Sequence, residues 1–433
     1  MMSLRNVNIL LVNLGFSVIL FFYSCEYLSK PQNLELIADA GPDKTTIVGS
    51  YVVLDGSDSQ GNMDRCKWEE AKTNPSETTL PFLSGVINNN NSPSLNPRIG
   101  FIKEGVYKFY LTLLKDIEQG NISDSDSGDT DTVIVRVLPN KGSKIKDPRL
   151  EIAIRQNLQN KIGDLNQNEL LKVKKIISYS VADQYVVESL RGIEYCKNLE
   201  YLIMGHQKIK DLSPLENLSK LKELSLTQNY TVKDISPLKN LTNLAELNLS
   251  SNSISDISAL KNLTSLKILD LQYNNTIKNI SVLSNLTNLK SIKIAQSSIS
   301  DVSPLGKCAS LEVLWIDGCG IKDISSFEKL VNLKKIHMMS NKIEDISSLS
   351  GLNKLEYIVL DLNMISNISS LKLLENLQYV RLWDNKIKDI YPLVQNPKID
   401  SGDIVALKGN PLNEKSLRQY IPQLKARGVY VSY

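Results

Sequence analysis

Hydrolytic, redox or metal chemistry needs imidazole, thiolate and carboxylate groups that converge on one point. This chain offers few. It has 433 residues, two histidines (His206 and His337) and five cysteines (Cys25, Cys66, Cys196, Cys308 and Cys319). No CxxC pair occurs and no Cys clusters with a His, so a zinc site is not expected. Asp124, Asp126, Asp129 and Asp131 crowd into one loop, where calcium could find its oxygen ligands. No acidic residue closes that set as Glu does in an EF-hand, so a solvated hairpin loop before the last strand is the plainer reading and no metal site is expected. There is no glycine-rich phosphate loop and no nucleophile elbow. Asp211, Asp234, Asp256, Asp301, Asp323, Asp345 and Asp389 look like an acidic array, yet each holds the same place in a repeating pattern, which makes them turn residues. The chain is therefore expected to be no enzyme and to carry no cofactor.

The repeat itself is the dominant feature. Leucines 199, 221, 244, 266, 289, 311, 333, 355 and 377 each open a block of 22 or 23 residues. Each block reads roughly Leu-x-x-Leu-x-Leu-x-x-Asn-x-Ile-x-Asp-Ile-Ser-Pro-Leu-x-x-Leu-x-x. A fixed period of this length predicts an α/β leucine-rich-repeat solenoid, with a parallel sheet on its concave face and short 3-10 or helical turns on its convex face. The first, fourth and sixth positions should face inward, as in Leu244, Leu247 and Leu249. The ninth carries Asn229, Asn252, Asn274, Asn341, Asn363 and Asn385, each able to satisfy loop backbone. Gln207, Ser297 and Cys319 interrupt that ladder, and the solenoid should be looser there. Ser213-Pro214, Ser236-Pro237 and Ser303-Pro304 read as a capping Ser followed by Pro at the first helical position. Cys196 and Cys308 replace repeat leucines and should be buried. On this solenoid His206 and His337 fall six repeats apart, too far to share a proton or a metal.

Open solenoid ends need caps. The expected order is a signal peptide over 1–24, a lipid-anchored tether over 25–33, a β-sandwich over 34–139, a linker over 140–146, a helical N-terminal cap with a degenerate first repeat over 147–198, nine repeats over 199–398 and a C-terminal cap over 399–433. In the last of these, 414–426 should form an amphipathic helix and 429–431 a final strand. Within the sandwich, Tyr107, Phe109, Leu111 and Leu113 alternate on one strand and Val133, Val135 and Val137 on another. The apolar run from Ile9 to Tyr23 is too short and wrongly flanked for a comfortable span, and reads as an export signal.

Three stretches resemble known families. Ser24-Cys25 after the apolar run resembles a bacterial lipoprotein signal, which implies lipidation of Cys25 and a membrane anchor. Phe22 and Tyr23 depart from its usual pattern. Ala40-Gly41-Pro42-Asp43, Val48-Gly49-Ser50, Val53-Leu54-Asp55-Gly56-Ser57, Trp68, Gly105-Val106-Tyr107-Lys108-Phe109 and Asp129-Thr130-Asp131-Thr132-Val133 resemble a polycystic-kidney-disease (PKD) repeat domain, an immunoglobulin-like spacer. It departs at 87–96, an Asn/Ser-rich segment. Across 147–433 the repeats resemble the internalin-type leucine-rich repeats of bacterial surface proteins, which implies binding to a host protein through the concave sheet. No partner-specific residue carries over.

The third, fifth, seventh and eighth positions of each repeat should look out from that sheet. In the early repeats they are small or polar: Glu223, Ser225, Thr227, Glu246, Asn248 and Ser250. In the late ones they are Trp315, His337, Met339, Tyr357, Val359, Tyr379, Arg381 and Trp383, with Asp317, Asp361 and Asp384 as part of a polar rim. Strands lie about 4.8 Å apart in a sheet, so these residues should form one patch. Tyr, Trp and Arg dominate interface hot spots. The expected binding residues are Trp315, His337, Tyr357, Val359, Tyr379, Arg381 and Trp383. The same rings could instead stabilise the sheet through cross-strand pairing. Net charge is +3 and no basic stripe appears, so nucleic acid is not an expected partner. The expectation is an exported, lipid-anchored protein of the outer membrane or cell surface that binds a host extracellular protein. A periplasm-facing scaffold for another envelope protein and a glycan-binding module stay open beside it.

Overall fold

The computed structural model describes residues 38, 40–59, 65–70, 79–81, 98–101, 103–114, 130–138, 143–158, 165–179 and 186–433. The expected signal, Cys25 and its tether, segment 87–96, and Asp124, Asp126 and Asp129 lie outside them.

Among the described residues, the N-terminal part has seven short strands: β1 (Lys44–Ile47), β2 (Tyr51–Val53), β3 (Arg65–Glu70), β4 (Thr79–Pro81), β5 (Arg98–Phe101), β6 (Gly105–Leu114) and β7 (Thr130–Leu138). They make two sheets, ordered β1-β7-β6-β3 and β2-β5-β4. The expected alternation holds: Tyr107, Phe109 and Leu111 on β6 and Val133, Val135 and Val137 on β7 are buried with Trp68, Leu54 and Phe101. The Tyr107 hydroxyl donates back to the Lys103 carbonyl at 2.8 Å, which pins the entry to β6. Of the aspartates considered for calcium, Asp131 lies on β7, and its Oδ2 accepts the Ala40 N–H at 2.8 Å. That bond ties the start of the domain to its last strand.

The N-terminal cap is built from α1 (Pro148–Gln156), α2 (Gln167–Leu171) and β8 (Lys175–Tyr179). Asp147 caps α1 by accepting the Arg149 N–H at 2.9 Å, and its other oxygen accepts from Glu188 N–H at 2.8 Å. Asn166 caps α2 by accepting the Asn168 and Glu169 N–H groups. Glu151 and Arg155 pair at 2.6 Å, both buried, one helical turn apart.

Beyond the cap, each repeat supplies one short strand to a parallel sheet of twelve strands that runs from β8 to Tyr430–Ser432. The inward leucines and isoleucines form one continuous core; Leu244, Leu247 and Leu249 are at most 1% exposed. The convex side is mainly 3-10 turns such as Ser236–Asn240 and Ser303–Lys307. Twenty-two residues must make a strand, two bends and a return, which leaves about one tight turn on the far side.

Each of these turns is capped, but not by the serine. Asp211 Oδ1 accepts the Ser213 N–H at 2.8 Å, and Asp234, Asp256, Asp301, Asp323 and Asp345 do the same for the N–H two residues on. The serine is the first residue of the turn, so the aspartate, placed two residues earlier, does the capping. These bonds hold the Asp211 and Asp323 carboxyls below their ordinary range. The repeated aspartates are turn residues, as their spacing implied.

The asparagine ladder closes the other bend. Asn363 Nδ2 donates to the Met338 and Leu360 carbonyls at 2.9 and 3.0 Å, and its Oδ1 accepts Ile343 N–H at 3.0 Å. One side chain thus stitches neighbouring repeats. Gln207 keeps the pattern, with Oε1 accepting from Val187 N–H at 2.6 Å, so the looseness expected there is not found. Ser297 and Cys319 reproduce only part of it. They turn to each other, Oγ to Sγ at 3.2 Å, and the Cys319 thiol donates to the Ile294 carbonyl at 3.2 Å. Cys196 and Cys308 are fully buried, and burial pushes their thiols up to about 12 and about 11.

Candidate binding face

The eighth position of every repeat takes a left-handed backbone: His206, Gln228, Ser251, Tyr273, Gln296, Ser340, Leu362 and Asp384 have φ between 50 and 57°, and Gly318 has 63°. The strand must end there so that the Asn can turn under the sheet. Side chains at this position, including Tyr273 and Leu362, are thrown out to solvent.

In the late repeats the strands bring the expected residues into direct register. Trp315 sits opposite His337, His337 opposite Val359, and Val359 opposite Arg381. Tyr357 sits opposite Tyr379. The rings use this register. Trp315 and His337 stack with centroids 4.2 Å apart and planes 26° apart. Tyr357 and Tyr379 stack at 5.6 Å and 27°. Cations lie on the remaining faces: Lys335 Nζ is 4.6 Å from the Tyr357 ring, and the Arg381 guanidinium 4.6 Å from the Trp383 ring.

Two aspartates hold this layer from below. Asp317 accepts the Trp315 indole N–H, the Met339 N–H at 2.8 Å and His337 Nδ1 at 2.7 Å. Asp361 accepts Arg381 Nε and, at 2.9 Å, the Trp383 N–H. Arg381 also reaches the Met339 sulfur at 3.4 Å. Burial works to lower the Arg381 pKa, but its hydrogen bond to Asp361 prevails and keeps it above the ordinary value. Three of the sequence-based placements change accordingly. Asp317 and Asp361, 9% and 2% exposed, are no rim. Short carboxylates one pleat beyond the large side chains fold beneath them and take their donors. Val359, 7% exposed, lies between His337 and Arg381 and is overtopped by both. Asp384 stays exposed. The Trp383 Nε1 is buried without an acceptor among the described residues.

The face also extends further than the repeats show. Tyr379 pairs with Ile404, and Ile404 with Tyr430. Ile404 is 39% and Tyr430 70% exposed, so the Tyr357–Tyr379 row continues across both cap strands. Sequence reasoning missed them because Leu-x-x-Leu-x-Leu spacing fails after 399; the remnant Val405-x-Leu407-x-x-Asn410, whose Asn410 accepts the Ile387 N–H as a ladder residue does, was the available signal.

The early repeats are different. Glu223 and Glu246 face each other on adjacent strands. Burial raises the Glu223 carboxyl pKa, and Glu246 raises it further. Burial also raises Asp270, against the opposing pull of the Gln272 N–H and Lys293. On the convex side, a polar depression of about 210 Å³ is lined by Lys322, Asp323, Ser325, Glu328 and Asp345. Its aspartates are already committed to turn capping.

Comparison with known proteins agrees with this architecture. A family model described as leucine-rich repeats matches residues 197–240 and 242–285. Among solved structures, an internalin (inlF) from Listeria monocytogenes is similar, at 29% identity and a TM-score of 0.56, over 68% of this chain and 92% of that one. An internalin C2 (inlC2) from the same organism is 29% identical over 55% of this chain and 94% of that one, with a TM-score of 0.44. Among curated proteins, none matches. The chain carries leucine-rich repeats and is similar in structure to internalins, and no catalytic family is indicated.

Proposed function

We propose that this chain is an exported, lipid-anchored adhesin that grips a protein partner with the late concave strands of its solenoid. The observation that carries the binding site is the contiguous layer formed by Trp315, His337, Tyr357, Tyr379, Arg381 and Trp383, each locked by a neighbour before any ligand arrives. Rings held in place lose little freedom on binding, and affinity rises by the ordering cost avoided. Export and the anchor are supported by the apolar run ahead of Cys25. A partner on a host cell is what the resemblance to internalin-type repeats implies. A PKD-like sandwich would then serve as the stalk.

A protein partner suits the layer better than a glycan. Sugars stack on open ring faces, and here His337 covers one face of Trp315, Arg381 one of Trp383 and Lys335 one of Tyr357. The scaffold alternative differs only in the partner's origin. Residues 26–433, beside a Trp315→Ala/Tyr357→Ala/Trp383→Ala version, should be cross-linked to host extracellular extract and to bacterial envelope. A host protein held by the first and lost by the second is the expected result. An envelope protein held equally by both would overturn the adhesin reading and move the site elsewhere.

A further inference from the structure

The concave face changes sign along its length. In the second, third and fourth repeats its outward positions carry Glu223, Glu246 and Asp270 and no Lys or Arg. From the fifth repeat to the cap they carry Lys293, Lys335, Arg381 and Lys408. Lys293 lies opposite Asp270 at the boundary. Beyond it, the carboxylates that could cancel the positive charge are withdrawn: Asp317 and Asp361 are buried and engaged within their own layer. Asp384 is the exposed exception. Among the described residues neither Lys335 nor Lys408 has a carboxylate within ion-pair distance. What solvent meets here is an apolar row, Tyr357, Tyr379, Ile404 and Tyr430, with uncancelled cations beside it.

We propose that the occupant of this surface is a protein segment that is both acidic and apolar, its carboxylates on Lys335 and Lys408 and its apolar side chains on the Tyr357–Tyr430 row. This rests on the concave-face reading above and adds the partner's chemistry. Complementary charge steers encounter and rejects wrong partners. The acidic repeats supply the rejection: a carboxylate placed over Glu223 and Glu246 would add to a repulsion already present there. The segment's acidic portion is therefore confined to the C-terminal half of the face.

The test is selection from a phage library of random dodecapeptides on the full chain, followed by binding of the selected peptides to Lys335→Glu/Lys408→Glu and to Trp315→Ala/Tyr357→Ala/Trp383→Ala. Neither lysine is in an ion pair, so the fold should survive reversal. Peptides enriched in Asp or Glu beside aromatic or aliphatic residues are expected, with binding at least about tenfold weaker on the lysine variant and weaker at raised ionic strength. Basic or uncharged peptides, no enrichment, or equal binding to the lysine variant would overturn the proposal. So would heparin bound by the full chain and lost by the lysine variant, which would make the ligand an anionic glycan. Peptides of any charge that are lost on the aromatic variant keep the concave-face reading even when the acidic proposal fails.

Discussion

His337 lies flat on Trp315, with 4.2 Å between ring centroids, and both side chains bond to the carboxylate of Asp317. Asp317 Oδ1 lies 2.7 Å from His337 Nδ1, while its Oδ2 takes the Trp315 indole N–H. The pair is thus set by a residue that solvent barely reaches. Cross-strand aromatic pairs add roughly 0.5–1.5 kcal/mol beyond their burial, and here they also fix the shape of the surface.

Asp317→Ala should disturb that surface without removing a ring from it. It strands Trp315 Nε1, His337 Nδ1 and the Met339 N–H, and unsatisfied donors cost about 1–3 kcal/mol each when water cannot reach them. These groups are partly wetted, so a total near the low end, about 2 kcal/mol, is expected in urea unfolding. Asp317→Asn keeps an acceptor but cannot serve all three donors, and should fall between. Wild-type stability in the alanine variant would show that the carboxylate does not hold the layer.

Asp270→Asn should raise the melting temperature at neutral pH. Burial raises the Asp270 pKa, so the folded state holds its proton more tightly than the unfolded chain does. Stability from this group is greatest below the unfolded value and declines as pH rises through the folded one. The asparagine has no charge to desolvate and can still accept the Gln272 N–H, which Asp270 takes at 3.1 Å. The gain should be present at pH 7 and vanish below about pH 3.5, near the unperturbed carboxyl value. A gain of equal size at both pH values would mean that charge is not its cause.

Ser370→Ala should stabilise the protein by about 0.5–1.5 kcal/mol. Ser370 is 7% exposed and its hydroxyl has no partner among the described residues; Ser348, at the same position one repeat earlier, has the same defect. Other repeats place Pro214, Pro237 and Pro304 there. Ser370→Pro should therefore also be accepted, with an added gain from the stiffer unfolded chain. Chemical denaturation of the two variants checks both points; destabilisation by alanine would mean that the hydroxyl has an acceptor after all.

Cys319→Asn should repair the ladder. The equivalent Asn341 accepts the Ile321 N–H at 3.0 Å and donates to the Ile316 carbonyl at 2.8 Å. An asparagine at 319 would offer the same acceptor to Ile299. A gain of about 0.5–2 kcal/mol is expected for restoring a consensus residue, with slower amide exchange around residue 299. Unchanged exchange there would show that the Ser297–Cys319 contact already serves as well.

The solenoid was legible because its energetics are periodic. A leucine in the first, fourth and sixth positions and an asparagine in the ninth can be explained one repeat at a time, and Leu247 and Asn274 behave as Leu269 and Asn363 do. The candidate site was legible only in part. Which side chains look out follows from strand alternation, so Trp315, Tyr357 and Tyr379 were within reach. Which of two outward residues overtops the other depends on lateral neighbours, and so the burial of Val359 beneath His337 and Arg381 was not. Asp317 and Asp361 were hidden for the same reason: a polar type predicts the rim until a larger donor next door claims it. Ser-Pro suits a cap at Ser213, but the geometry makes Asp211 the acceptor.

The strands at Ile404–Ala406 and Tyr430–Ser432 continue the sheet beyond the last recognisable repeat. A fragment cut where the leucine spacing ends would lose more than a plug for the core. It would remove two rungs from the end of the gripping surface, Lys408 among them, and expose Tyr379 and Arg381 on a raw edge. Such a fragment could fold well, report weak affinity, and lead an experimenter to discard the right ligand.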